Sequence, residues 1–456
     1  MPGASAALDR KARKGQNGCV RLHERLDSLP LKPFHWRMVG ASGLGWMFDA
    51  FDSGLVSFVL AVLVKEWALT PDQVGRIGSA GLLGMFAGAV LVGTLADRYG
   101  RKAMFQATLA VFSIATGLCG LAQGYLSLLA MRFLVGFGLG GELPVASTLV
   151  SEFSPKAHRG KLVVVLESFW AFGWALAAIV AYMFIPTWGW RAAFFLGSLP
   201  VLYVLYLRRA IPESPRFLAA AGRWDEAVAI VRAVEAECGE APAPLEPDAA
   251  AAGTTPRFAD LWAGPMARRT AMLWGLWFAM VYSYYGIFIW LPSLLVAAGH
   301  GLVKSFGYVL IITAAQIPGY FSAAWLVDRW GRKPTLAAYL LGCAVAAFAF
   351  GRAQGPAAII AWGCLLSFFN LGAWGVVYTY TPESYPTRLR ATGVGWAAGI
   401  GRVGGILAPL VVGRILSSMP GRQDLVFAQF SIVILAGLVV VCSLGEETKG
   451  RSLEEI

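Results

Sequence analysis

Two acids raise the question of function first. The stretch Trp46-Met-Phe-Asp-Ala-Phe-Asp-Ser-Gly-Leu-Val-Ser57 places Asp49 and Asp52 inside a long apolar run. A charge at the centre of a membrane helix costs about 2.5–3.5 kcal/mol on insertion scales, unless it faces a wet cavity, meets a cation or binds a proton. At spacing i and i+3 the two acids share one helix face. Capping a broken helix end would explain them without function, but apolar sequence continues on both sides. Two bases, Arg132 and Arg402, also fall deep in apolar runs. A buried arginine keeps its proton, so each needs an anion. Arg132 is expected to pair with Asp52 or Asp49. Arg402 sits among small residues, Gly399-Ile-Gly-Arg-Val-Gly-Gly405, which leave room around its guanidinium. Its anion is either a substrate or an internal partner, Glu142 or Glu167.

The elements that must hold these residues are membrane helices. Hydrophobic residues make up 57% of the chain and charged residues 14%, far from the usual soluble balance. A length of 456 residues fits twelve spans of roughly 20 residues with short connections. The division expected is a tail over 1–34, a first six-helix bundle over 35–211, a middle loop over 212–266, a second bundle over 267–445 and a tail over 446–456. A short helix is predicted near 22–29 and another over 224–237, followed by an Ala/Pro/Gly-rich linker over 240–256. Most Lys and Arg fall in the tails, the middle loop and alternate short loops, which predicts cytoplasmic termini. The net charge of +11 thus marks orientation, not nucleic-acid binding. The first 35 residues lack the apolar core of a cleaved signal peptide. The six cysteines, Cys19 among them, are scattered without metal or disulfide spacing.

The two halves repeat. Ala96-Asp-Arg-Tyr-Gly-Arg-Lys102 recurs as Val327-Asp-Arg-Trp-Gly-Arg-Lys333, and the same offset joins Glu152 to Glu383, Pro155 to Pro386 and Arg159 to Arg390. Two pseudo-symmetric bundles around a midplane cavity follow. The turn residues Asp97, Arg98, Gly100, Arg101 and Lys102, with Asp328, Arg329, Gly331, Arg332 and Lys333, are expected to gate the cytoplasmic side. Glu152, Arg159, Glu383 and Arg390 are their expected partners. Ordinary positive-inside charge would account for the bases, but not for the acids or the repeat. Arg402 has no counterpart in the first half, where Ala171 stands. That asymmetry favours a substrate role over scaffolding.

These motifs carry a resemblance. D-R-x-G-R-K after spans 2 and 8 resembles the signature of the major facilitator superfamily, and Arg132-Phe-Leu-Val-Gly-Phe-Gly-Leu-Gly-Gly-Glu142 resembles its span-4 motif. Pro212-Glu-Ser-Pro-Arg-Phe-Leu218 and Glu447-Thr-Lys-Gly450 resemble the sugar-porter branch, although Glu446 stands where that branch has proline. Within the superfamily, Phe48–Phe58, Gly141–Glu152 and Val165–Trp170 look most like the bacterial niacin transporters, relatives of the synaptic vesicle proteins. Aromatic-acid proton symporters also carry paired aspartates in span 1. The resemblance implies an all-α membrane protein of twelve transmembrane helices in the major facilitator fold. It implies secondary transport by alternating access, with a small aromatic carboxylate such as nicotinate, and also its amide, as substrate. Another aromatic acid or a sugar is the alternative, and a nutrient sensor without net transport is the alternative of another class.

The remaining residues fit that expectation. Asp49, Asp52, Arg132 and Glu142 form the expected proton-coupling set. Glu167, Trp170 and Trp174 share one face of span 5, Asn370, Trp374 and Tyr378 share one face of span 10, and Tyr284, Tyr285 and Trp290 crowd span 7. Aromatic bodies with polar tips suit a cavity that stacks a flat ring, although such residues also populate membrane interfaces. No P-loop, metal cluster or histidine within a span is present. Enzymatic chemistry, a cofactor and ATP-driven pumping are therefore not expected. Energy should come from a proton gradient, in a monomer of the bacterial inner membrane.

Overall fold

The computed structural model describes residues 20–156, 158–246, 257–386 and 389–449. The tail before Val20 (with Cys19), most of the expected linker and the chain from Gly450 lie outside the described residues. So do a few side chains, that of Asp97 among them. Long apolar stretches without breakers form long helices. Spans 1 to 4 are Pro33–Glu66, Pro71–Tyr99, Arg101–Cys119 and Tyr125–Phe153. Proline opens spans 1 and 2, where a missing N–H costs nothing. Thr70 and Gln73 close a capping box at the start of span 2, the Gln73 side chain accepting from the Thr70 N–H at 2.9 Å.

The run Arg159–Gly197 bends at Gly189, whose φ is 78°. It therefore holds span 5 and the start of span 6, which Pro200–Ala210 completes. Spans 7 and 9 to 12 are Pro265–Ala297, Arg332–Phe350, Pro356–Glu383, Arg390–Ser418 and Gln423–Leu444. Span 8 comes in two pieces, Leu302–Ala314 and Gln316–Trp330. Pro318 has no N–H for the Ala314 carbonyl, so the helix breaks one turn before it. Apolar periodicity alone, which runs through this stretch, did not predict that break.

The first turn is narrower than the polar run that marks it. Helix continues to Tyr99 and the chain reverses at Gly100, with φ 96°; Gly331 reverses the second copy with φ 100°. Both angles lie where a side chain is strained.

Span 1 packs on span 5 and span 2 on span 4; in the second half, span 7 packs on span 11 and span 8 on span 10. The repeat is thus also a repeat of packing. The halves meet on the side opposite the chain termini. There Gly75 abuts the Pro409 carbonyl, Gly413 abuts that of Pro71, and Ser79 donates to the Ile406 carbonyl at 2.7 Å. Phe58 and Phe306 pack edge to face at 5.1 Å.

On the side of the termini, a helix over Leu22–Ser28 lies against the middle loop, which forms helices Pro215–Ala220 and Trp224–Cys238. Val20–Arg21 pairs in parallel with Leu245–Glu246, a strand contact the sequence did not suggest. Arg25 donates to Glu235 at 2.6 Å and Arg232 to the same carboxylate at 2.7 Å. Burial pushes the Glu235 carboxyl up, but the two arginines and the Ala243 N–H outweigh it, leaving it below the usual glutamate range.

Candidate functional site

Span 1 presents Asp49 and Asp52 to span 4, and the structure separates their partners. The Asp52 carboxylate lies 2.9 Å from the Arg132 guanidinium and accepts from the Thr116 hydroxyl of span 3 at 2.6 Å. Asp52 has no solvent exposure and Arg132 has 3%. Asp49 turns instead to Glu142, so that two fully buried carboxyl groups face each other. None of their four oxygens has a hydrogen-bond partner among the described residues. Two ionised carboxylates are acceptors only, so such a pair would bond only with a proton between them. Span 1 therefore carries one acid held by a cation and one facing a second acid.

Below this pair, rings from both halves interlock. Trp46 and Trp170 lie 4.6 Å apart between ring centres. Trp170 donates its indole N–H to the Tyr284 hydroxyl at 2.7 Å, a hydrogen bond that joins the first half to the second. Tyr284 meets Tyr285 edge-on at 5.5 Å and Trp374 at 6.2 Å, and Trp374 lies 5.4 Å from Tyr378. Trp277, which helical spacing did not place with these aromatics, packs on both Trp374 and Tyr378. Glu167 is buried among these rings.

Arg402 faces Tyr285 and Tyr378 and forms no ion pair among the described residues. The internal pairing with Glu142 or Glu167 left open by the sequence is not made among the described residues, where Glu142 faces Asp49 instead. Three expected lining residues are packed into the bundle. Trp174 is fully buried against Tyr284 and Phe288, with Gly54 pressed on its ring. Asn370 points into the second half, donating to Ser283 at 3.3 Å. Trp290 is buried further along span 7, without a ring partner among the described residues. Helical spacing assigns a face, but the buried stripe of a helix inside a bundle is wider than the strip lining a cavity.

The expected gating residues find partners both within and outside the set. Glu152 pairs with Arg101, and Arg332 grips Glu383 with two bonds of 2.8 Å. Arg159 reaches Asp27 of the tail helix, and Arg390 donates to the Pro382 carbonyl at 2.9 Å. Two acids went unassigned in the sequence. Glu213 accepts the backbone N–H groups of Arg101 and Lys102 at 3.0 and 3.1 Å. Glu447 accepts those of Arg332 and Lys333 at 2.9 and 3.0 Å. Each carboxylate sits at the positive end of a helix. The next residues complete the copy: Ser214 donates to Glu152, and Thr448 donates to Glu383 at 2.7 Å. An acid followed by a hydroxyl at the end of each bundle was the available signal.

A family model described as sugar (and other) transporter matches residues 42–456. The chain belongs to that family. It is 51% identical over 438 residues to the niacin transporter NiaP of Acinetobacter baylyi, covering 95% of this chain and 99% of that protein. It is 45% identical over 418 residues to a putative niacin/nicotinamide transporter NiaP of Bacillus subtilis, covering 92% and 98%. The structure superposes on the xylose transporter XylE from E. coli, in a partially occluded inward open conformation, with a TM-score of 0.73 at 19% identity, covering 92% of this chain and 100% of that one. That likeness is one of fold, the twelve-helix major facilitator architecture. Among the described residues, ten stretches are long and apolar enough to cross a membrane. The one bent at Gly189 supplies two crossings, and Tyr125–Phe153 completes the twelve. This family member is a multi-pass membrane transporter of a small molecule.

Proposed function

We propose that this transporter imports nicotinate, and more weakly its amide, across the bacterial inner membrane by proton symport. The observation that carries the reading is the ring cluster beside Arg402. A flat ring finds aromatic faces from both halves, and a carboxylate finds a partly buried guanidinium that no anion among the described residues neutralises. The identity to niacin transporters over nearly the whole chain supports the same substrate class.

Both termini face the cytoplasm in this reading, the chain acts as a monomer, and the state described is open inward because the halves meet on the opposite side. Asp52 carries the proton. In the inward-open state Arg132 neutralises its carboxylate, so the proton has left. When the halves rock and Arg132 withdraws, Asp52 is free to take a proton from outside. The Arg101–Glu152 and Arg332–Glu383 clusters, with Asp97, regroup between bundles to shut the cytoplasmic side.

The test is a thermal-shift screen of purified protein with nicotinate, nicotinamide, benzoate and xylose, followed by counterflow in proteoliposomes. Nicotinate should raise the melting temperature most and exchange across the membrane. Binding without exchange would indicate a sensor, and a shift with xylose alone would overturn the substrate assignment.

A further inference from the structure

The amide side chain of Gln316 stands at the break in span 8, where the missing N–H of Pro318 splits the helix into two pieces. It is fully buried, and neither its Oε1 nor its Nε2 has a hydrogen-bond partner among the described residues. Leaving a buried amide unpaired is costly, and unpaired groups in native structures call for an explanation. The carboxamide lies beside the hydroxyl of Tyr284. That hydroxyl already accepts from Trp170, and its oxygen has a second lone pair that one N–H of Nε2 can reach after a small rotation. Even then, the other N–H of Nε2 and the Oε1 oxygen remain without a partner among the described residues.

The position of this donor matters. Tyr284 and Tyr285 form an edge-to-face pair. Gln316 flanks the Tyr284 side, and Arg402 flanks the Tyr285 side. The tyrosine pair therefore has an uncompensated cation at one end and an uncompensated neutral donor at the other. A benzene ring carrying a carboxylate satisfies only the first. An aromatic ring with a carboxylate and an in-ring nitrogen satisfies both, because a pyridine nitrogen accepts a hydrogen bond and has no proton of its own.

We propose that Gln316 is a specificity-determining residue, donating through Nε2 to the ring nitrogen of a pyridine carboxylate whose anionic end lies at Arg402. The inference rests on the aromatic-carboxylate reading above and goes beyond it by naming the group that separates a pyridine from a benzene ring. A site built to hydrogen-bond a substrate atom rejects the analogue that lacks it, because the buried donor is then left empty.

The test measures nicotinate and benzoate affinity by titration calorimetry on the full-length protein in detergent. The wild type should bind nicotinate roughly tenfold more tightly than benzoate, about 1.4 kcal/mol. Gln316→Leu and Gln316→Met keep the volume and remove the donor. Each should lose most of that preference by weakening nicotinate while leaving benzoate within about twofold. Equal affinity of the wild type for the two ligands overturns the assignment, whatever the variants do. Equal loss of both ligands in the variants overturns it too, and makes Gln316 a packing residue. Failure of the wild type to bind either ring overturns the aromatic-carboxylate reading, and this assignment with it.

Discussion

Replacing Asp52 by asparagine separates proton coupling from substrate binding. The carboxylate is fully buried, 2.9 Å from Arg132 and bonded to Thr116. Removing its charge leaves a buried guanidinium uncompensated, which costs about 3–5 kcal/mol of stability. A second change, Arg132→Met, should restore most of that loss, since a buried pair replaced together by neutral groups is close to neutral. The transport effect differs in kind. Nicotinate is an anion, and moving one charge against 100 mV costs about 2.3 kcal/mol. At 1.4 kcal/mol per tenfold, uncoupled entry is disfavoured by roughly fifty-fold. One proton carried with one anion removes the electrical term, so accumulation in proteoliposomes should follow the pH gradient, about tenfold per unit, and ignore voltage. Asp52→Asn, alone or with Arg132→Met, should exchange nicotinate across the membrane but not accumulate it, and its net uptake should lose pH dependence. Accumulation at the wild-type level by Asp52→Asn under an imposed pH gradient refutes the mechanism and moves the proton to the Asp49–Glu142 pair. Glu142→Gln would then be the variant that equilibrates.

Three further outcomes follow from the geometry. Arg402→Lys keeps the charge and loses the planar fork, so it should weaken nicotinate about tenfold and nicotinamide little; equal losses in a binding titration would make Arg402 structural. Glu213→Gln removes the charge that faces two N–H groups at the start of span 3, and should lower stability by about 1–2 kcal/mol, read as a lower melting temperature, with slower uptake. The tail clasp depends on ionised Glu235, whose folded value is depressed. Its stabilisation is complete above the unfolded glutamate value of about 4.3 and is lost as pH falls through the lower folded value. The clasp should therefore protect the N-terminal helix from protease at neutral pH, and Glu235→Gln should expose it without acid.

The sequence showed most clearly what rests on periodicity and repetition. Twelve spans, the two-bundle division and the paired turns all follow from apolar runs and one constant offset, and the structure repeats them as packing pairs. The turns are shorter than their polar runs because helix continues until glycine stops it, as Gly100 does after Tyr99. Arg132 was expected to meet either aspartate of span 1. Which one it meets depends on how far a long side chain reaches along a neighbouring helix, and spacing alone does not carry that.

The less legible residues share a physical trait: their importance lies in what they lack or in where a distant backbone begins. Glu213 and Glu447 look like loop acids until the starts of spans 3 and 9 are seen to end on them. Gln316 looks like an ordinary polar residue in a helix until its amide is found buried without a partner. Its neighbour Pro318 was the one local sign that span 8 is interrupted, and an interrupted helix is where a bundle can admit a ligand to its backbone and polar side chains. In Tyr284, bonded to Trp170 across the two halves and flanked by Gln316, the link between bundles and the donor for the ring meet at one hydroxyl. A substrate that draws on Gln316 therefore acts on a contact that must break and reform whenever the halves rock, which ties ring recognition to the transport cycle.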